Sequence, residues 1–205
     1  MEPRVIVVGA SAGGFSAIRK LLSRLDPSLT SPIFIVLHTG DRSPGHLASV
    51  LEKSSRLPVR FAGDGQFEPG TVYVAPSGHH LVLERSAMRL VEGPRENLAR
   101  PAIDVLFRSA ARAHGNRTIG VVLTGMLDDG TAGLFYIKRH GGVTIVQDPA
   151  EAEYPSMPAT ALAHVPIDYK LPLLEIGATL SRLAKELAVE VTKYAEASGP
   201  ILLRR

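Results

Sequence analysis

Apolar residues in this chain fall into short β-branched blocks, separated by longer stretches with an apolar residue at every third or fourth place. Val5-Ile6-Val7-Val8, Ile33-Phe34-Ile35-Val36-Leu37, Ile119-Gly120-Val121-Val122-Leu123 and residues 143–146 have strand length and no polar alternation, as strands buried on both faces do. Residues 15–25, 46–54, a segment from Pro101 to about His114, and 132–140 carry the helical period, and Pro101 suits a first helical turn. Residues 59–61 read as a further short strand. Residues 71–76, 80–84 and 88–91 read as strands joined by tight turns, an antiparallel hairpin insertion, and residues 147–158, rich in acid, alanine and proline, as a surface loop. The alternation of strand and helix predicts an α/β fold, doubly wound, with a mostly parallel sheet, helices on both faces and a small antiparallel insertion.

The first strand leads directly into Gly9-Ala10-Ser11-Ala12-Gly13-Gly14. Small residues there let the chain turn sharply into a helix, holding Ser11 at the turn with helix N-terminal amides beside it, the mechanics of a nucleophile elbow. Glycine-rich turns of this kind also cradle phosphates in dinucleotide-binding folds. That pattern needs glycine where Ser11 stands and an acid at the end of the second strand, where this chain has His38. A third strand, 119–123, is followed by Thr124-Gly125-Met126-Leu127-Asp128-Asp129-Gly130. Groups placed directly after parallel strands converge at one sheet edge. A serine, a histidine able to take its proton and an aspartate to orient the imidazole are therefore expected to meet there, for acyl-transfer chemistry. The order Ser, His, Asp differs from that of α/β-hydrolases.

Composition narrows the picture a little. The chain has 205 residues, 45% of them hydrophobic, enough for one domain with a large core. A net charge of +3 and 5% aromatic residues without tryptophan give no stacking platform, so nucleic acid is not an expected partner. Cysteine is absent, which removes thiolate nucleophiles, disulfides and cysteine metal sites. No signal segment or apolar run near 20 residues is evident, and a cytoplasmic protein without membrane insertion is expected.

Taken together, Val8 to Gly14, the strand ending in His38, Ala75-Pro76-Ser77-Gly78-His79-His80, Arg100-Pro101-Ala102-Ile103-Asp104-Val105-Leu106-Phe107, Leu123 to Met126 with Asp129-Gly130, and Met157-Pro158 make the chain resemble the catalytic domain of the CheB family of chemotaxis protein-glutamate methylesterases. The resemblance runs from about residue 4 to 187. It implies hydrolysis of glutamate γ-methyl esters on receptor helices with release of methanol, deamidation of receptor glutamines, and no metal or organic cofactor. It places the nucleophile at Ser11, the histidine at His38 and the catalytic aspartate at Asp129, with the Met126 amide at the oxyanion; beside these, Ala12, Gly13 and Arg100 are candidates for oxyanion or substrate binding. Ala12 stands where some members have threonine, and Asp128 where some have asparagine. Many members also carry a receiver domain; here the catalytic strand begins at residue 4, so a standalone domain at 1–187 is expected, followed by a helical extension at 188–205. A methylated chemoreceptor or related receptor is the implied protein substrate. A noncatalytic nucleotide- or partner-binding module, or an esterase for small molecules, are the competing readings.

Other residues have plainer expectations. His79 and His80 point to opposite faces of a strand and lack further metal ligands; Arg100 either meets a substrate carboxylate or caps a strand-helix junction. Arg85, Arg89, Arg95 and Arg100 form a solvated basic face. Met157 fills apolar space, and His114, His140 and His164 are surface residues. Leu173, Ile176, Leu180, Leu183, Leu187, Val191 and Tyr194 share one helix face, whose first half packs on the domain and whose second half offers a contact for a homo-oligomer.

Overall fold

The computed structural model describes residues 3–39 and 45–197, with side chains through Glu186. In chain order the first half comprises β1 (Val5–Ala10), α1 (Gly14–Ser23), β2 (Ile33–Leu37), α2 (Leu47–Glu52), β3 (Val59–Phe61), β4 (Gly65–Gln66), β5 (Val72–Val74), β6 (His80–Leu83) and β7 (Ala87–Val91). The second half comprises α3 (Ile103–His114), β8 (Thr118–Val122), α4 (Thr131–Arg139), β9 (Val143–Gln147), α5 (Ser156–His164), β10 (Tyr169–Leu171) and α6 (Leu173–Ala197). Seven strands form a parallel sheet in the order β10-β9-β8-β1-β2-β5-β3, and β4-β7-β6 form a small antiparallel sheet.

The unbroken apolar blocks are explained by burial on two sides. In β1, Ile6, Val8 and Ala10 enter the layer beneath α1, α2 and α6, whereas Val5 and Val7 enter the layer beneath α3, α4 and α5. β2 repeats this, with Ile33, Ile35 and Leu37 on the first side and Phe34 and Val36 on the second. Gly9 faces α3, where a Cβ would lie 2.3 Å from Ile103 Cγ2, so glycine permits the helix to sit close against the strand.

Several sequence expectations are corrected. The first strand of the expected hairpin insertion, 71–76, is β5 of the main sheet, buried on both faces through Val72, Tyr73 and Val74. Its place in the small sheet is taken by β4, two exposed residues with no apolar signal. The end of the expected loop 147–158 opens α5, because Met157, Pro158 and Ala161 are buried. Pro101 precedes α3 instead of lying in its first turn. His114 is buried at the end of α3, edge-on to Phe67 at 6.2 Å, while His140 and His164 are exposed. α6 buries Leu173, Ile176, Leu180 and Leu183 and continues without a break past residue 187. The side chains of Leu187, Val191 and Tyr194, and with them the expected homo-oligomer contact, lie outside the described residues. Among the described residues no helix is long and apolar enough to cross a membrane.

Candidate active site

Ser11, His38 and the loop carrying Asp129 follow β1, β2 and β8, the three adjacent strands at the centre of the sheet. Backbone bonds fasten these strand ends together: Ser11 N donates to Thr124 O at 3.0 Å and His38 N to Ala10 O at 3.1 Å. After Ser11 the chain turns through Gly13, whose φ of 72° is left-handed and favours glycine. A Cβ on Gly125 would lie 2.9 Å from Ser11 Cβ, so the loop after β8 rests directly against the serine.

Ser11 Oγ lies 3.2 Å from His38 Nδ1, and His38 Nε2 lies 3.0 Å from Asp129 Oδ2. The second contact has the distance of a hydrogen bond without its alignment, since the buried Nε2–H finds no acceptor in line. The Nε2–H dipole lies beside the carboxylate, and contacts of this kind commonly tighten when substrate binds. The neutral imidazole that suits both neighbours carries its proton on Nε2, leaving the Nδ1 lone pair toward Ser11.

Asp129 is buried, and Asp128 beside it is exposed. The Asp129 carboxylate accepts the amides of Ile103 (2.7 Å) and Asp104 (3.0 Å) at the start of α3, and Asn97 Nδ2 at 2.8 Å. Burial works against its ionisation, but the His38 contact and these donors outweigh that and hold its pKa below the usual carboxylate range. Asn97 Nδ2 also donates to Asp104 Oδ2 at 2.8 Å, and Asp104 Oδ1 accepts the amides of Gly130 and Gly133 at 3.0 and 2.6 Å. Burial, together with the charge on Asp129, pushes the Asp104 carboxyl up to about 6.

Sequence reasoning missed Asn97 and the part played by Asp104. Asp104 stands in a recognisable motif, but its partners come from a loop 26 residues away; Asn97 lies in a polar loop with no pattern at all. Glu153 was also missed: its carboxylate sits beside Gly13, 2.9 Å from where a Cβ would be.

The amides of Ala12, Gly13 and Met126 have no hydrogen-bond partner among the described residues, whereas Gly125 N and Leu127 N donate to Tyr154 O and Ser156 Oγ. They are the free donors nearest in sequence to Ser11 and along the loop packed on it. Arg100 donates from Nη1 to Gly93 O at 2.7 Å and keeps a buried Nε without a partner among the described residues. His80 is buried, donating from Nε2 to Pro94 O and accepting the Ala102 amide at Nδ1, whereas His79 contacts Glu92. Only His80 lies in β6; His79 precedes the strand, in a bend.

Ser11, Gly13, Phe15, His38 and Glu153 line an open depression of about 630 Å³; His38 also lines a neighbouring one of about 230 Å³ with Asn97, Leu98, Arg100 and Leu127. A larger hollow of about 810 Å³ beside Arg24 and Arg182 holds none of these groups.

The sequence model of the family described as CheB methylesterase matches residues 6–180. A protein of Leptospira interrogans (strain Fiocruz L1-130) is 40% identical over 185 residues, covering 89% of this chain and 96% of that one. Protein-glutamate methylesterase/protein-glutamine glutaminase 2 of Anaeromyxobacter dehalogenans is 42% identical over 182 residues, covering 88% of this chain and 53% of that protein. This chain therefore spans nearly the whole of one relative and about half of the other. The crystal structure of the Thermotoga maritima CheB methylesterase catalytic domain superposes with a TM-score of 0.83 at 32% identity, covering 89% of this chain and all of that one. With the fold, the length and the sequence in agreement, this chain belongs to the CheB methylesterase family.

Proposed function

We propose that this chain is a serine hydrolase that cleaves γ-methyl esters of glutamyl residues in a protein substrate, releasing methanol, with Ser11 as nucleophile, His38 as general base and Asp129 as the group that orients the imidazole and stabilises its charged form. The observation that carries this reading is the continuous run from Ser11 Oγ through His38 to Asp129, at 3.2 and 3.0 Å. As Ser11 Oγ bonds to the ester carbonyl carbon, its proton passes to His38 Nδ1. The imidazolium so formed is stabilised by the Asp129 carboxylate. The carbonyl oxygen takes up the negative charge and is met by the free amides of Ala12, Gly13 and Met126. Collapse of the tetrahedral species breaks the bond to the methoxy group, which leaves as methanol with the proton from His38. Water then adds to the acyl-enzyme by the same route, giving a glutamate carboxylate and restoring Ser11.

The same cycle with an amide leaving as ammonia is glutamine deamidation, the second activity in the Anaeromyxobacter relative's name. A methylated receptor of the chemotaxis type is the substrate that family membership favours. Incubation with methylated receptor fragments tests the reading: wild type releases methanol, and Ser11→Ala releases none above background while melting at the same temperature. Equal release by both proteins would refute it.

A further inference from the structure

Two leucines lining the smaller depression beside His38 are held in backbone conformations that leucine avoids. Leu98 has φ 63° and Leu127 φ 66°, in the left-handed region where Cβ crowds the following carbonyl. Burial does not compensate, for Leu98 is 82% and Leu127 61% exposed. Glu96 and Ala99 exchange both backbone hydrogen bonds, at 3.1 and 2.9 Å, around a two-residue turn whose central residues Asn97 and Leu98 both have positive φ. Turns of that kind ordinarily place glycine second. Asn97 has an evident use there, since its amide reaches two buried carboxylates. Leu98 has none among the described residues, and glycine would relieve the turn without uncovering any core. Strain retained at the rim of a reaction site points outward, to a bound molecule.

The occupant follows from continuity with the site. His38 lines the same depression as the two leucines, and so do Arg95 and Arg100; among the described residues no acidic side chain lines it. Ser11 lines the adjoining depression, which shares His38 with this one, so a chain whose ester carbonyl reaches Ser11 can lay the side chains on one flank along this rim. On the ester-hydrolase reading above, we propose that Leu98 and Leu127 are specificity residues that seat apolar side chains flanking the esterified glutamyl residue of a polypeptide substrate, while the arginines favour carboxylates nearby.

Two synthetic peptides test this, identical except that the residues flanking a glutamate γ-methyl ester are leucine in one and serine in the other. Wild type is expected to hydrolyse the leucine peptide with a kcat/KM about tenfold or more higher, a discrimination typical of a few buried methylenes. Leu98→Gly is expected to bring the two peptides within about threefold by raising KM for the leucine peptide, with kcat unchanged and a Tm not below wild type. Leu98→Met keeps the preference. A preference that survives in Leu98→Gly, or that wild type lacks while cleaving both peptides, overturns the proposal alone. Failure of wild type to cleave either peptide overturns the ester-hydrolase reading and the proposal with it.

Discussion

Asp104 and Asp129 cap each other's helices. Asp129, just before α4, accepts the first amides of α3, and Asp104, in the first turn of α3, accepts the amides of Gly130 and Gly133 at the start of α4. Neither helix has a side-chain cap of its own, since the cap positions are Ala102 and Gly130. Orphan amides at helix starts carry partial positive charge and favour a carboxylate. Exchanging the caps ties both helices to one buried carboxylate pair and fixes Asp129 opposite His38. Burial of the pair, together with the charge of Asp129 on its neighbour, is the cost, and it falls mainly on Asp104.

That cost has a sign that can be measured. Asp104 titrates at about 6 in the folded chain against 3.8 ordinarily. Well below pH 3.8 it is protonated in both folded and unfolded states and contributes nothing. As pH rises through 4 to 6 the unfolded chain ionises first, and folding stability falls by a total on the order of 3 kcal/mol. Asp104→Asn is expected to lack this fall. Urea denaturation at intervals from pH 4 to 7.5 should therefore give a wild-type curve that declines relative to the variant; parallel curves would show that Asp104 does not resist ionisation.

The two adjacent aspartates are separable by charge removal. Asp129→Asn leaves the imidazolium without its counter-charge and is expected to lower kcat by about 10³–10⁴-fold. It also loses the acceptor for the Ile103 amide, costing about 1–3 kcal/mol of stability. Asp128→Asn changes an exposed side chain and is expected to leave kcat within about twofold and stability within about 0.5 kcal/mol. Methanol-release kinetics and a melt on each variant check both; equal losses would remove the assignment to Asp129.

Asn97 supplies a neutral donor between two carboxylates. Asn97→Ala is expected to destabilise the chain at pH 7.5 by about 1.5–3 kcal/mol, the range for hydrogen bonds to charged groups. Asn97→Asp is expected to be worse, because it sets a third carboxylate against the pair. Lowering the pH to 5 protonates Asp104, relieves the repulsion and should narrow the gap between the two variants. A gap independent of pH would mean that Asn97 acts through shape alone.

What the sequence disclosed and what it withheld divide along physical lines. Buried parallel strands announce themselves because both faces are apolar, so β1, β2 and β8 were legible, and with them the edge where Ser11 and His38 meet. β5 carried the same signal but was read as a hairpin strand because tight turns follow it. β4 carries no apolar pattern, since its pairing rests on backbone bonds of two exposed residues. His114 looked like a helix-end surface residue and is covered by the small sheet's loop through Phe67. The carboxylate network was illegible for a different reason: the caps of α3 and α4 come from outside each helix's own sequence, where no local rule looks for them.

The contact between α3 and α4 gives the last test, because the carboxylate pair depends on how closely those helices approach. A Cβ on Gly133 would lie 2.4 Å from Phe107 Cβ, an atom fixed to the backbone that no rotamer change can move. Gly133→Ala therefore has to separate the helices, with an expected loss of about 1–3 kcal/mol from overpacking. Because the Gly133 amide bonds to Asp104, the displacement carries Asp104 with it and, through Asn97, disturbs Asp129. Methanol-release kinetics should then show a fall in kcat larger than any change in KM, at a temperature where the variant remains folded. Gly63→Ala, where a Cβ meets nothing within 4 Å, is the control, with stability expected within about 0.5 kcal/mol of wild type and kcat unaltered. If Gly133→Ala loses stability but keeps full kcat, the helix approach holds the fold and not the orientation of Asp129.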